Sequence, residues 1–151
     1  MPTFKSLAQS DWGVILKGGV NVFDKTPFVT ADVYGNLAFL RIGIEVVNAS
    51  IVTKDSAEQL ISNIAPTIGM AWGEKFRGYL MGSYGSWLVS RGNNLNLSGA
   101  WYFKIEGGCE LQCGSVFFIT LGSSYTLPIQ SDISIFDGSY LIVNSGFGVH
   151  F

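Results

Sequence analysis

Hydrophobic and polar residues alternate with a period close to two along most of the chain, the pattern of β-strands with one apolar face and one different face. In the clearest run, Ala38, Leu40, Ile42, Ile44 and Val46 fall on one side and Phe39, Arg41, Gly43 and Glu45 on the other. One face is hydrocarbon; the other carries opposite charges. Near the start, Trp12, Val14, Leu16, Val20 and Val22 oppose Ile15, Lys17, Gly19 and Asn21. Later, Leu95, Leu97, Trp101, Phe103 and Ile105 oppose Asn96, Ser98, Ala100, Tyr102, Lys104 and Glu106. The last segment sets Leu141, Val143, Phe147, Val149 and Phe151 against Tyr140, Asn144, Gly146, Gly148 and His150.

Turn-forming residues interrupt this pattern at 24–27, 34–36, 48–63, 73–75, 91–94, 106–110 and 128–138. Eight strands are therefore expected, at 12–23, 27–34, 37–47, 64–73, 76–90, 94–106, 111–127 and 138–151. Most reach the roughly 9 to 11 residues that a tilted strand needs to cross a bilayer. The segments 76–90 and 111–127 carry small and aromatic residues on both sides, so the pattern leaves their faces unassigned.

Composition says which solvent the apolar faces meet. Hydrophobic residues make up 48% of the 151 and charged residues 13%, against about 25% charged in soluble domains. That is too few charges for an ordinary soluble surface. No stretch reaches the roughly 18 apolar residues of a membrane-spanning helix, so strands must do the crossing. The expected fold is all-β: a single closed antiparallel eight-stranded transmembrane β-barrel over residues 1–151, with 1–11 a short periplasmic segment. The alternate face then lines the lumen, where Lys17, Asp32, Arg41, Glu45, Lys104 and Glu106 are placed to form an ion-pair network that fills it. Arg at Ile42, on the lipid side, is expected to cost more than Arg at the lumen-facing Gly43.

Loop lengths set the topology, because barrels of this kind alternate short periplasmic turns with longer external loops. With both chain ends in the periplasm, 34–36, 73–75 and the Gly107-Gly108-Cys109 turn are periplasmic, and 48–63 and 128–138 are external. The first external loop contains Asp55-Ser56-Ala57-Glu58, a capping-box pattern for one short helical turn. Trp12, Trp72, Phe76 and Phe151 fall at periplasmic strand ends and Phe23 and Trp87 near external ends, as two interfacial aromatic girdles would require.

The last eight residues, Asn144 to Phe151, resemble the C-terminal signal of bacterial outer-membrane barrels: a polar residue, a Gly two later, a hydrophobe three after that and a terminal aromatic two further on. Asn144, Gly146, Val149 and Phe151 occupy those positions. At the level of strand number and pattern, the whole chain is similar to the small eight-stranded class that includes the OmpA and OmpX types. The resemblance implies the barrel-assembly machinery as a partner that reads the last strand, lipopolysaccharide around the outer rim, and an outer-membrane location. The start, Met1-Pro2-Thr3-Phe4-Lys5, has no apolar leader region and reads as that of a mature protein.

Candidate chemistry is sparse. His150 is the one histidine, at the periplasmic end of the last strand, and nothing near it in sequence completes a Ser-His-acid arrangement. Cys109 and Cys113 form a lone C-x3-C, poor as a metal site and read as two thiols in a turn, with a short-range disulfide as the alternative. Two glycosylation sequons, at Asn48 and Asn96, carry no weight in a bacterial barrel. The nine Lys and Arg are scattered and the net charge is −2, so no nucleic-acid footprint exists. These residues point to a monomeric, non-enzymatic barrel without cofactor or metal, acting in envelope structure or adhesion through loops 48–63 and 128–138. The alternatives are a soluble calycin-type barrel with its apolar face inward around a hydrophobic ligand, and an outer-membrane barrel passing small hydrophobic molecules through a wall gap near Pro66.

Overall fold

The computed structural model describes residues 11–23, 25–50, 58–62, 64–91, 94–130 and 140–151. Nine strands lie among them: β1 (Asp11–Asn21), β2 (Pro27–Leu37), β3 (Leu40–Ser50), β4 (Glu58–Ser62), β5 (Ala65–Gly73), β6 (Phe76–Arg91), β7 (Asn94–Cys113), β8 (Phe117–Gln130) and β9 (Tyr140–His150). Every pairing is antiparallel, and β1 pairs with β9, which closes the sheet on itself. Both β4 and β5 run between β3 and β6, so they share one stave and the barrel has eight. Among the described residues closure leaves no open sheet edge, the condition for strands to stand in hydrocarbon.

Asp11 and His150 lie at one mouth with the tight connections 38–39, 74–75 and 114–116, and the strand ends flanking 22–26, 51–57, 92–93 and 131–139 lie at the other. The outer face is apolar: Val14, Leu16, Ile42, Ile44, Ile68, Leu80, Ile105, Ile119, Leu121 and Phe147 are all exposed. On the same strands Lys17, Arg41, Glu45, Lys104, Glu106 and Glu110 are buried. The two faces that the sequence pattern left open resolve in the same way. Tyr79 and Ser83 of β6 and Phe118, Thr120, Ser124 and Thr126 of β8 point in, while Leu80, Tyr84, Ile119, Leu121 and Tyr125 point out.

Two expected turns are strand, for a steric reason. Gly35-Asn36 looks like a turn, yet β2 runs on to Leu37 and the chain reverses at Ala38–Phe39, with Leu37 opposite Leu40 and Ala38 at φ 58°. Gly35 is instead the cross-strand partner of Trp12, and a Cβ there would sit 3.3 Å from the indole ring. Likewise β7 continues through Gly107 and Gly108 to Cys113, and the reversal comes at 114–116, where Gly114 has φ 101°. A Cβ on Gly108 would meet the Leu121 carbonyl oxygen and lie 2.8 Å from the Tyr79 hydroxyl. Gly35 provides clearance for an aromatic ring, and Gly108 for the β8 backbone and the Tyr79 hydroxyl, instead of a bend.

Cys109 and Cys113 are consequently in a strand, as free thiols. Four residues of extended chain hold their Cα atoms about 13 Å apart, beyond the reach of a disulfide. The long connections also shrink. Residues 48–50, 58–62 and 128–130 are strand, which leaves 51–57 and 131–139, both outside the described residues. Of the capping-box residues, Glu58 is in β4, and Asp55, Ser56 and Ala57 lie outside the described residues. Finally, the β2–β3 register shifts between Ala31 and Asp32: Ala31 pairs with Val47 but Asp32 with Glu45. The bulge falls where two valines, Val46 and Val47, break the alternation.

Candidate functional site

The lumen holds what chemistry the barrel has. Period-two alternation on β1 aims Lys17 inward, and its stem crosses Gly146 of β9, its cross-strand partner; a Cβ on Gly146 would meet the Leu16 carbonyl oxygen and come within 2.8 Å of Lys17 Cγ. Lys17 Nζ then lies 2.6 Å from Asp32 Oδ2 and 2.5 Å from Glu106 Oε1. Lys104 Nζ pairs with Glu45 Oε2 and lies 3.6 Å from Glu106 Oε2. Two tyrosines join: Tyr102 donates to Glu45 Oε1 at 3.0 Å, and Tyr79 donates to Glu106 Oε1 at 3.1 Å while touching Thr120 Oγ1 at 3.3 Å.

A second cluster lies nearer the mouth with the chain ends. Arg41 makes a two-bonded pair with Glu110, Nη1 to Oε1 at 2.5 Å and Nη2 to Oε2 at 3.0 Å, and its Nε donates to Asn36 Oδ1 at 2.8 Å. The guanidinium also sits 4.0 Å over the Tyr34 ring. Further out, Arg77 Nη1 meets Asp11 Oδ2 at 3.3 Å, and Asn36 Nδ2 donates to Asp11 Oδ1 at 2.8 Å. His150 stacks on Phe118 at 4.3 Å between centroids, with Nδ1 3.1 Å from the Tyr34 hydroxyl and 3.5 Å from Asp11 Oδ2.

The structure places the six charged residues read from the sequence in the barrel interior but not in one network: Lys17 lies beside Asp32 and Glu106, Lys104 beside Glu45 and Glu106, and Arg41 in the second cluster, paired with a residue the sequence reading missed. That partner, Glu110, fell in an expected turn, and Arg77, its cross-strand neighbour, in a segment of unassigned face. Asp11, Tyr34 and Tyr79 were missed as well. Each sits at lumen parity once the true register is known. The network is centred on β7, which supplies Lys104, Glu106, Glu110 and Tyr102, and reaches across to β1 and β3.

Large buried side chains, Arg41, Glu45 and Tyr102 among them, leave a cavity of about 30 Å³ at the centre. A wide open funnel of about 850 Å³ occupies the mouth, bordered by Asp11, Asn36, Arg77, Gln112 and His150. His150 touches no serine hydroxyl among the described residues, and no group of three His, Cys, Asp or Glu there could hold a metal ion. An arginine at Gly43 does not fit the lumen as expected: a Cβ there would meet the Val33 carbonyl oxygen at 2.5 Å and Thr67 Oγ1 at 2.9 Å.

On the outer face, Trp12, Trp72, Phe76 and Phe151 are exposed at the mouth with the chain ends, joined by Phe39 and Phe117. Phe23 and a stacked pair, Tyr84 and Trp101 at 5.3 Å, lie toward the other mouth. Trp87 lies in β6, and its side chain is outside the described set. Of the terminal pattern, Asn144 and Gly146 face the lumen and Phe151 faces out, its amide donating to the Trp12 carbonyl at 2.8 Å across the closing seam; Val149 shares the outer face with Phe147. Pro66 pairs with Ile44 and is exposed on the wall, and Ala65 beside it is buried.

No protein-family model matches the sequence, and no curated protein matches it. Solved structures do. The N-terminal β-barrel domain of Pseudomonas aeruginosa OprF superposes with a TM-score of 0.68 at 9% identity, covering 95% of this chain and 100% of that one. Neisserial surface protein A gives 0.66 at 11% identity over 94% and 96% of the two chains. Ail, the attachment invasion locus protein of Yersinia pestis, gives 0.54 at 12% over 94% and 96%, and has also been solved with the heparin analogue sucrose octasulfate. The chain is a closed antiparallel eight-staved β-barrel, the fold that it shares with these outer-membrane barrels.

Proposed function

We propose that this chain is an integral, monomeric and non-enzymatic protein of a bacterial outer membrane, with a plugged lumen and a role in envelope structure or surface interaction. One observation carries the reading: the polarity of the barrel is inverted, with a belt of exposed Val, Leu, Ile and aromatic side chains around a core of buried ion pairs. A calycin-type barrel requires the opposite, an apolar interior. Here the interior holds Lys17, Arg41, Glu45, Lys104, Glu106 and Glu110. The belt finds its solvent in acyl chains, with lipopolysaccharide in the outer leaflet, and the aromatic residues at both rims suit the two interfaces.

In this reading Asn144, Gly146, Val149 and Phe151 are the segment that the barrel-assembly machinery receives, and the mouth with the chain ends is periplasmic. The connections across 51–57 and 131–139 then carry whatever the protein meets at the cell surface. A cavity of about 30 Å³ amid paired charges supports a plug over a pore. Ail, an attachment invasion locus protein, favours surface interaction by analogy of fold alone.

The test is folding into lipid vesicles, followed as a heat-modifiable shift in gel mobility, beside the same chain diluted into plain buffer. The barrel is expected to fold only with lipid or detergent, and to conduct no ions in planar bilayers. Folding in plain buffer would overturn the membrane reading, and steady conductance would overturn the plug.

A further inference from the structure

The cavity at the centre of the lumen has a cause in the sequence. At one level of the barrel, cross-strand partners run from Tyr34 of β2 through Gly43 of β3 and Thr67 of β5 to Ser83 of β6 and Lys104 of β7. Three consecutive positions of that row, Gly43, Thr67 and Ser83, carry a small side chain or none, between the large ones of Tyr34 and Lys104. Gly43 has no room to be larger, since a Cβ there would lie 2.5 Å from the Val33 carbonyl oxygen. The cavity of about 30 Å³ borders this row of small residues, with Thr67 and Ser83 in its wall.

Asp32 lines the same cavity. Its Oδ2 receives Lys17 at 2.6 Å, while Oδ1 is buried without a hydrogen-bond partner. A buried oxygen that no donor reaches is costly, and proteins satisfy such atoms with ordered water where the protein itself offers no donor. Thr67 and Ser83 are buried too, and as direct cross-strand partners they bring two hydroxyls to one side of the cavity. We propose that the cavity is a binding site for one ordered water, which donates a hydrogen bond to Asp32 Oδ1 and bonds to the hydroxyls of Thr67 and Ser83.

Size and charge both favour water over an ion. A buried water needs about 10–15 Å³ of such space and two to four polar partners, so the cavity takes one and leaves no room for a hydration shell. A bare cation would face Lys17, Arg41 and Lys104, and an anion would face Asp32, Glu45 and Glu106, which line the same walls. A neutral molecule that both donates and accepts suits walls of both signs. The water also reaches a stave that the ion pairs do not: among the described residues, neither the central cluster nor the one at the mouth includes a side chain of β5. The lumen face of β5 carries Ala65, Thr67, Gly69 and Ala71, of which Thr67 alone can form a side-chain hydrogen bond. A water shared by Thr67 and Asp32 ties β5 into the network that fills the barrel, whatever surrounds the barrel outside.

The test is a crystal structure of the full chain folded in detergent, at a resolution that shows ordered water. One peak is expected within about 2.5–3.2 Å of Asp32 Oδ1, and within the same reach of Thr67 Oγ1 or Ser83 Oγ. The double variant Thr67→Val, Ser83→Ala is expected to lose that peak. Thr126→Val, which removes a buried lumen hydroxyl outside the cavity wall, is expected to keep it. A wild type without the peak, an Oδ1 that accepts from a protein donor instead, or a peak that survives in the double variant overturns the proposal. Crystals grown with rubidium and bromide in place of sodium and chloride separate water from an ion, and anomalous scattering at the peak would equally overturn it. Should the double variant fail to fold, the wild-type peak and its lack of anomalous scattering still decide.

Discussion

The outer belt and the lumen are built from neighbouring residues of the same strands, yet they constrain the sequence in different ways. On the proposed reading Ile42 and Ile44 need only be apolar, since each exposed side chain meets lipid independently of the others. Arg41 and Glu45, the alternate positions of that strand, need named partners on β7: Glu110 for one, Lys104 and Tyr102 for the other. Belt residues act as a class and their effects should add. Lumen residues act in pairs and theirs should not, because removing one partner leaves a buried charge behind.

The largest expected effect probes the pairing. Lys104→Met strips the ammonium from Glu45 and leaves Glu106 with one ammonium, Lys17, beside the Tyr79 hydroxyl, and should destabilise the barrel by about 3–5 kcal/mol, read from urea unfolding in vesicles. Adding Glu45→Gln to it removes the orphaned charge and should recover part of the loss. Strictly additive losses in the double variant would erase the distinction between the two faces. A smaller effect is expected on the belt: Ile42→Arg puts a charge in hydrocarbon and should cost about 2–4 kcal/mol. Unchanged folding of that variant in vesicles would mean that Ile42 does not meet lipid. The smallest is Leu121→Val, which keeps the class of residue on an exposed outer position and should stay within about 0.5 kcal/mol. A much larger loss there would show that the belt, too, depends on specific contacts.

Strand parity made most of the fold legible, because a closed barrel forces every strand to have one outer face and one lumen face. What parity could not supply is register. Gly35 and Gly108 look like turn residues because sequence alone does not show the ring of Trp12 or the hydroxyl of Tyr79 lying against them. Misplacing the turn at Gly108 hid Glu110, and with it the partner of Arg41. The bulge at Val46 and Val47 had a visible sign, two valines in succession, yet its effect of setting Asp32 against Glu45 appears only when β2 and β3 are paired. Asp11 is legible only as a consequence of closure, since its contacts with Asn36, Arg77 and His150 join β1 to β2, β6 and β9.

The ion pairs that join β7 to β1 and β3 span the interior along different chords, which gives the wall a mechanical character. Flattening the cylinder along either chord must stretch or compress a brace whose ends are fixed in the ladder, so the cross-section resists lateral pressure in those directions. A tube that resists deformation passes the burden of fit to its surroundings. If the proposed membrane setting holds, then where the apolar belt and the hydrocarbon slab differ in height the bilayer must thin or thicken around the barrel, at a cost of fractions of a kcal/mol per ångström of mismatch.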